Sequence, residues 1–152
     1  MLTGKDIDLK SILNAAIAGA TLSLLSLGAL AQGPPNAPFA GQANMTCAKA
    51  LSEAPKMDTE LAVMAKSFDA AAAKLKKSPK DAKVKKAYVD DGTKYEQKIV
   101  HGANKLGPAI KYRAGLALCR LVLAVDSKNA PCAKDKSEIE SIYKQMGRPI
   151  PQ

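Results

Sequence analysis

The residues best suited to chemistry in this sequence are its three cysteines, Cys47, Cys119 and Cys132. Cys119 lies in an apolar run and is typical of a small core residue, whereas the other two lie near predicted helix starts in more polar sequence. In an oxidising compartment, an odd cysteine count leaves one thiol after one bridge has formed. We therefore predict a Cys47–Cys132 disulfide and a buried Cys119 thiol. Three free thiols are the alternative, and a Cys119–Cys132 bridge would need the chain to fold back sharply.

The patterns of common enzyme sites are missing. His101 is the only histidine, beside Gly102 at a predicted helix end, and no Cys, Asp or Glu stands near it at the spacing of metal ligands. The sequence contains neither a Cys-x-x-Cys-His haem motif, nor a Gly-x-Ser-x-Gly nucleophile motif, nor a phosphate-binding glycine-rich loop. We predict no catalytic residue, no cofactor and no metal site, so the protein is expected to be non-enzymatic.

A dense cluster of positive charge lies between residues 74 and 86, where Asp81 is the only acid. Its members are Lys74, Lys76, Lys77, Lys80, Lys83, Lys85 and Lys86. They are predicted to flank a turn between two helices and to attract an anionic polymer, lipid headgroups or an acidic partner. Nucleic acid is disfavoured because the cluster has no arginine fork and few interleaved aromatic residues. A solvated turn that aids solubility is the alternative.

The first 31 residues have the pattern of an export signal. Residues 11–31 carry no charge, and the run ends in Ala29-Leu30-Ala31 before Gln32, which matches a secretory cleavage site. An uncleaved membrane anchor is the alternative, since about 20 apolar residues span a bilayer. We predict cleavage between Ala31 and Gln32, a periplasmic or secreted protein, and a flexible Pro/Gly-rich segment over residues 32–43.

Residues 44–152 are expected to form one all-α domain with four main helices, one short helix and no strand. Helix-forming Ala, Leu and Lys dominate this part of the chain. The boundaries are set by capping and helix-breaking residues. The short helix is predicted from Asn44 to Ser52, before Pro55, and the main helices are marked by Asp58, Ser78-Pro79, Gly107-Pro108, Asp126–Asn129 and Gly147.

The central element of this domain is predicted to be the helix over residues 106–125. Its second half, from Leu116 to Val125, is apolar on nearly every face and includes Leu121. A helix that is hydrophobic all round must be surrounded by other elements or by lipid. The charges of Lys111, Arg113 and Arg120 are too closely spaced for a membrane span, so the pattern favours the centre of a small bundle.

An internal similarity occurs at an offset of 48 residues, from Leu75 to Leu123 and from Tyr95 to Tyr143. Repeated helix pairs of this kind are typical of stacked helical units, although two similar helical junctions could also arise by chance. The segment from Leu116 to Arg148 resembles the junction between two tetratricopeptide units. It has an Ala/Leu-rich helix, an Asp-Ser-Lys-Asn-Ala turn and an Ile-Tyr-x-x-x-Gly-Arg ending.

The segment Ser78-Pro79-Lys80-Asp81-Ala82 is similar to a second turn of the same family. The offset exceeds the usual tetratricopeptide period, and the usual Trp and Leu-Gly pair are missing from the first helices. The resemblance implies antiparallel helical hairpins, arranged as a small bundle or a solenoid, and a concave surface that binds protein or peptide without catalysis.

The sequence therefore predicts an exported interaction module that binds a protein or peptide through a helical surface. The alternative is a charge-driven binder of an anionic envelope polymer or membrane surface, acting through the cluster between Lys74 and Lys86. Salt distinguishes the two, because screening weakens the second mode much more than the first.

Overall fold

Helices account for most of the residues that the computed structural model describes, Met45 to Gln152, and no strand occurs between these two residues. In chain order they are α1 (Cys47–Met57), α2 (Thr59–Lys77), α3 (Ala82–Gln97), a π-helical turn (Lys98–Gly102), α4 (Pro108–Val125) and α5 (Ala130–Gln145). The all-α prediction, with four main helices and one short one, is confirmed. The predictions for the export signal, the cleavage point and the segment 32–43 lie outside the described residues.

Capping residues fix most of the helix starts. The Asp58 carboxylate accepts a hydrogen bond from the Glu60 amide at 2.9 Å, at the start of α2. The Asn129 side chain accepts one from the Cys132 amide at 3.1 Å, at the start of α5. Such bonds satisfy amides that lack a partner within the first turn of a helix. Gly147, with φ of +63°, ends the last helix in the left-handed conformation that glycine adopts without strain.

Two predicted boundaries are wrong by a few residues. The start of α3 was expected at Ser78-Pro79, but Pro79 lies in a turn and the Asp81 side chain caps the helix by accepting from the Lys83 amide at 2.8 Å. Likewise, α1 does not stop before Pro55 but continues to Met57. A proline so close to the helix end removes few backbone hydrogen bonds, and burial of Ala54 just before it holds the last turn in place.

Helix α4 is the centre of the bundle, because α1, α3 and α5 all pack against it. Its continuously buried stretch runs from Arg113 to Cys119. The expectation that the second half is buried all round is wrong in the last turns, where Leu121 is half-buried and Ala124 is exposed. In these last turns, after Cys119, Val122 is the residue that faces the core. Within the described part of the chain, no helix combines the length and apolarity that crossing a membrane requires.

The offset of 48 residues matches the helix boundaries of two hairpins. The first hairpin joins α2, which ends at Lys77, to α3, which starts at Ala82. The second joins α4, which ends at Val125, to α5, which starts at Ala130. The sequence similarity thus corresponds to two helix–turn–helix junctions of equal turn length. Membership in the tetratricopeptide family stays a prediction.

We expect Leu118→Ala to destabilise the domain by about 2–5 kcal/mol, because Leu118 has no exposed surface and its truncation leaves a cavity in the core. The matched control is Leu121→Ala, three residues further along the same helix at a half-buried position. Chemical denaturation followed by circular dichroism measures both changes. Equal losses for the two variants would contradict the burial pattern of α4.

Candidate functional site

The seven lysines predicted as a binding cluster do lie together, at the end of the α2–α3 hairpin. They occupy the last turn of α2, the connecting turn and the first turns of α3. All are exposed except Lys85, which is half-buried. Among the described residues, Lys86 is the only one of them in an ion pair, with Asp90 on the next turn of α3. We call this group the lysine corner.

Stabilisation of helix ends explains the positions of only some of the lysines in the lysine corner. Lys74, Lys76 and Lys77 lie in the last turn of α2, where cations interact favourably with the negative end of the helix dipole. The lysines of α3 lie near the positive end of their helix, whose first turn contains no acidic residue. Like charges at that end cost stability, and the Asp81 cap offsets only part of the cost. The lysines at the start of α3 therefore do not stabilise this helix.

A second group with chemical potential is fully buried and was not predicted. Glu96 comes from α3, Cys119 from α4 and Cys132 from α5, and each has no exposed surface. One carboxylate oxygen and the two sulfur atoms all lie within 4.8 Å of one another. Three different helices therefore bring a carboxylate and two thiols together inside the core. We call this group the thiol–carboxylate cluster.

The carboxylate of Glu96 has different neighbours on its two sides. Its Oε2 accepts a hydrogen bond from Gln97 Nε2 at 3.0 Å, whereas Oε1 is buried and receives no hydrogen bond from a nitrogen or oxygen among the described residues; the carboxylate also interacts with the Cys119 thiol. Gln97 Nε2 also donates to Asp135 Oδ2 at 2.7 Å, and His101 Nε2 lies 2.9 Å from the same oxygen. A line of polar side chains thus connects the buried cluster to His101, which is half exposed.

The two thiols of the cluster interact with each other, and Cys119 also interacts with Glu96. The Cys119 thiol donates a hydrogen bond to the Cys132 sulfur, and this bond lowers the pKa of Cys132 below its usual value. The same bond, together with burial, raises the pKa of Cys119. Of the two, Cys132 is therefore the one that becomes a thiolate first, and a thiolate is both the nucleophilic and the metal-binding form of cysteine.

Burial also changes the acidity of Glu96. Loss of solvent raises its pKa from 4.5 to about 7, and the negative charge of Asp135 contributes in the same direction. The groups that face it are Cys119 on α4, Cys132 and Asp135 on α5, and His101 in the π-helical turn. A glutamate in this position changes its charge close to neutral pH.

Cys47 lies elsewhere, at the first position of α1. Its amide donates to the Gln152 carbonyl at 2.8 Å, its thiol donates to the Pro151 carbonyl at 3.5 Å, and Arg120 Nη1 lies 3.7 Å from its sulfur. Burial raises the pKa of this thiol. The last residues of the chain therefore pack over the start of α1.

The cysteine arrangement differs from the predicted one. In the structure Cys47 and Cys132 are thiols that are not bonded to each other, and Cys132 lies against Cys119 instead. Cys47 and Cys132 lie near helix starts as expected, with Arg120 beside Cys47 and Glu96 beside Cys132, but both cysteines are buried; the predicted burial of Cys119 is confirmed. The turn between α4 and α5 folds the chain back tightly enough to place Cys132 beside Cys119, and sequence spacing alone did not reveal this.

His101 was predicted as a surface residue without an acidic neighbour. It is 53% exposed, but Asp135 comes to it from α5. Together with Tyr112 and Glu138 they line a shallow cavity of about 160 Å³. The partner was missed because it is 34 residues away in the sequence.

One sequence signal could have pointed to the thiol–carboxylate cluster. Glu96 follows Val89 and Gly92 at helical spacing and therefore shares the inward face of α3. A glutamate on a core-facing stripe is rarely buried without a partner. The two cysteines gave no such signal, since their spacing matches no common metal or redox motif.

In comparisons with family models, curated proteins and solved structures, no match to this chain is found. The proposals below therefore rest on the residues and contacts described above.

We expect the metal-free, reduced protein to lose stability as the pH rises from about 4.5 to 7. Because the pKa of Glu96 is higher in the folded state, the folded protein binds more protons over this range, and deprotonation then favours unfolding. The loss amounts to about 3 kcal/mol. Glu96→Gln removes the titrating group and should flatten this part of the profile.

Urea denaturation at a series of pH values, with a chelator and a reductant present, measures the effect. Glu138→Gln is the control, because the Glu138 side chain is exposed and its replacement should leave the profile as in the wild type. The same slope in Glu96→Gln and in the wild type would contradict the assignment to Glu96.

Proposed function

We propose that this chain is a non-enzymatic interaction module that binds an anionic polymer through the lysine corner. The observation that carries the proposal is the position of seven lysines around one interhelical turn, with a single ion pair among them in the described part of the chain. Exposed ammonium groups that form no ion pair keep their charge available for a partner.

A polymer suits this surface better than a small ligand. The lysines extend over two helix ends and a turn, so their charge is spread over an elongated surface. Each ammonium acts as a compact point charge without the planar geometry that selects one bound group. A chain with repeated negative charges can contact several of them at once, and the net charge of +9 adds long-range attraction.

We further propose that the partner is found outside the cytoplasm. The support is the uncharged run over residues 11–31 and the Ala-Leu-Ala triplet before Gln32. In that location, anionic polymers of the cell envelope supply the repeated charge that the lysine corner fits. Nucleic acid is disfavoured by location and by the absence of arginine from the corner.

Protein or peptide binding through a helical surface is the second candidate, and one observation favours it. The side chains of Met57 and Val63, at the junction of α1 and α2, are 46% and 69% exposed. Exposed apolar side chains of this kind contribute to contacts with other proteins. Binding there would depend little on salt.

The experiment compares two triple variants of equal net charge. Lys76, Lys80 and Lys83 are replaced by Gln in one, and Lys49, Lys128 and Lys144 in the other; all six are exposed. The probes are long-chain polyphosphate, polyglutamate and vesicles with anionic phospholipid, each titrated at several salt concentrations. We expect the first variant to lose affinity for the polymers. The slope of the logarithm of its binding constant against the logarithm of salt concentration should fall in magnitude by roughly 2–3, because each of the three lysines contributes about one ion contact.

The second variant should bind almost as the wild type does, because its lysines lie outside the corner. Equal losses in the two variants would show that only net charge matters and would contradict a defined site. Binding to vesicles but to neither polymer would identify a membrane surface as the partner and overturn the polymer proposal. Wild-type binding that is unaffected by salt would favour the apolar surface.

A further inference from the structure

The thiol–carboxylate cluster contains three atoms that can bind a metal ion, and it has no part in the binding proposed for the lysine corner. We propose that Glu96, Cys119 and Cys132 form a binding site for one Zn²⁺ ion, which links α3, α4 and α5. Thiolate sulfur and carboxylate oxygen are both common zinc ligands in proteins. The site is independent of the proposed polymer binding.

The geometry is close to that of a zinc site. Zinc lies about 2.3 Å from sulfur and about 2.1 Å from oxygen, so donors at tetrahedral angles are roughly 3.6–3.8 Å apart. In the structure the three donor atoms lie within 4.8 Å of one another. A contraction on the order of 1 Å closes the set around the ion, and rotation about side-chain torsions supplies movements of that size. The cluster provides three protein donors for the four positions of a tetrahedral zinc site.

An independent observation points into the site. Glu96 Oε1 receives no hydrogen bond from a nitrogen or oxygen among the described residues, the side chain has no exposed surface, and the carboxylate's thiol neighbour is Cys119, itself a member of the site. Leaving a buried carboxylate oxygen without a partner is costly, and a metal ion on that oxygen removes the cost. The other oxygen accepts from Gln97, which also donates to Asp135 and so holds the carboxylate in orientation. Partners of this kind are typical of metal ligands.

The donor types select the metal class. Two sulfurs exclude Mg²⁺ and Ca²⁺, which prefer oxygen ligands in larger number. A carboxylate together with two thiolates suits a borderline divalent ion such as Zn²⁺. Hydrogen bonds through Gln97 and Asp135 link the ligand Glu96 to His101 at the edge of the cavity.

Binding releases protons and competes with oxidation. Zn²⁺ bound by two thiolates displaces both thiol protons, so two protons leave for each ion when both cysteines start protonated. Oxidation of the same thiols to a disulfide consumes both sulfur donors. The reduced protein therefore binds the ion, and the oxidised protein does not.

The test uses the full chain, reduced and stripped of metal with a chelator, and titrated with Zn²⁺ or Co²⁺. We expect one ion per chain, release of protons on binding, and in the cobalt form the sulfur-to-cobalt charge-transfer absorption of thiolate ligation. Cys132→Ser and Glu96→Gln each remove a metal ligand. They should weaken zinc binding by more than the roughly 10- to 100-fold that is typical when a residue hydrogen-bonded to a ligand is removed.

The matched control is Cys47→Ser, which removes a buried thiol outside the cluster and should leave the bound ion unchanged. Circular dichroism of the metal-free variants shows whether each folds. If a cysteine variant does not fold, Glu96→Gln decides, since it preserves the side-chain volume. Failure of the reduced wild type to retain an ion, absence of thiolate absorption, or equal loss in Cys47→Ser overturns the proposal. So does a Cys119–Cys132 disulfide in protein purified from its native host.

Discussion

Close packing of α3 against its neighbours is the constraint on which the rest of the structure depends. At Gly92, an added Cβ atom would lie 2.6 Å from Val122 and 2.8 Å from Phe68, so the helix can approach both neighbours only without a side chain there. One turn further along α3, this approach carries Glu96 into the core beside Cys119. The buried cluster is thus a direct consequence of helix packing.

The same packing determines which polar groups are buried away from water and therefore need a partner other than bulk solvent. On α4, Gly115 has no side chain, and a Cβ there would lie 3.7 Å from Glu96 Oε1 and in contact with Val100. The glycine leaves room for Val100, and it supplies no donor to the carboxylate beside it. Glu96 Oε1 and the Tyr95 hydroxyl are the two buried side-chain oxygens without a nitrogen or oxygen partner among the described residues. For the carboxylate, an ion or a proton can take that place.

Local features of this fold could be predicted from the sequence, whereas features that depend on contacts between helices could not. Asp58 and Gly147 act through neighbouring amides and carbonyls, so their roles follow from sequence order alone. The lysine corner was predictable for the same reason, because its members flank one turn. Cys132 was assigned the wrong neighbour, since its distance to Cys119 depends on how tightly α4 and α5 turn back on each other.

The two hairpins share boundaries but not chemistry. At the offset of 48 residues, the members of the thiol–carboxylate cluster correspond to Lys144, Ala71 and Val84, none of which can take their place. The seven lysines correspond to a segment in which only Lys128 and Lys134 carry positive charge. The two hairpins have equal turn lengths but different side chains, so helix–turn–helix geometry alone does not require the residues of either candidate site. A site is therefore argued from those residues and not from the fold.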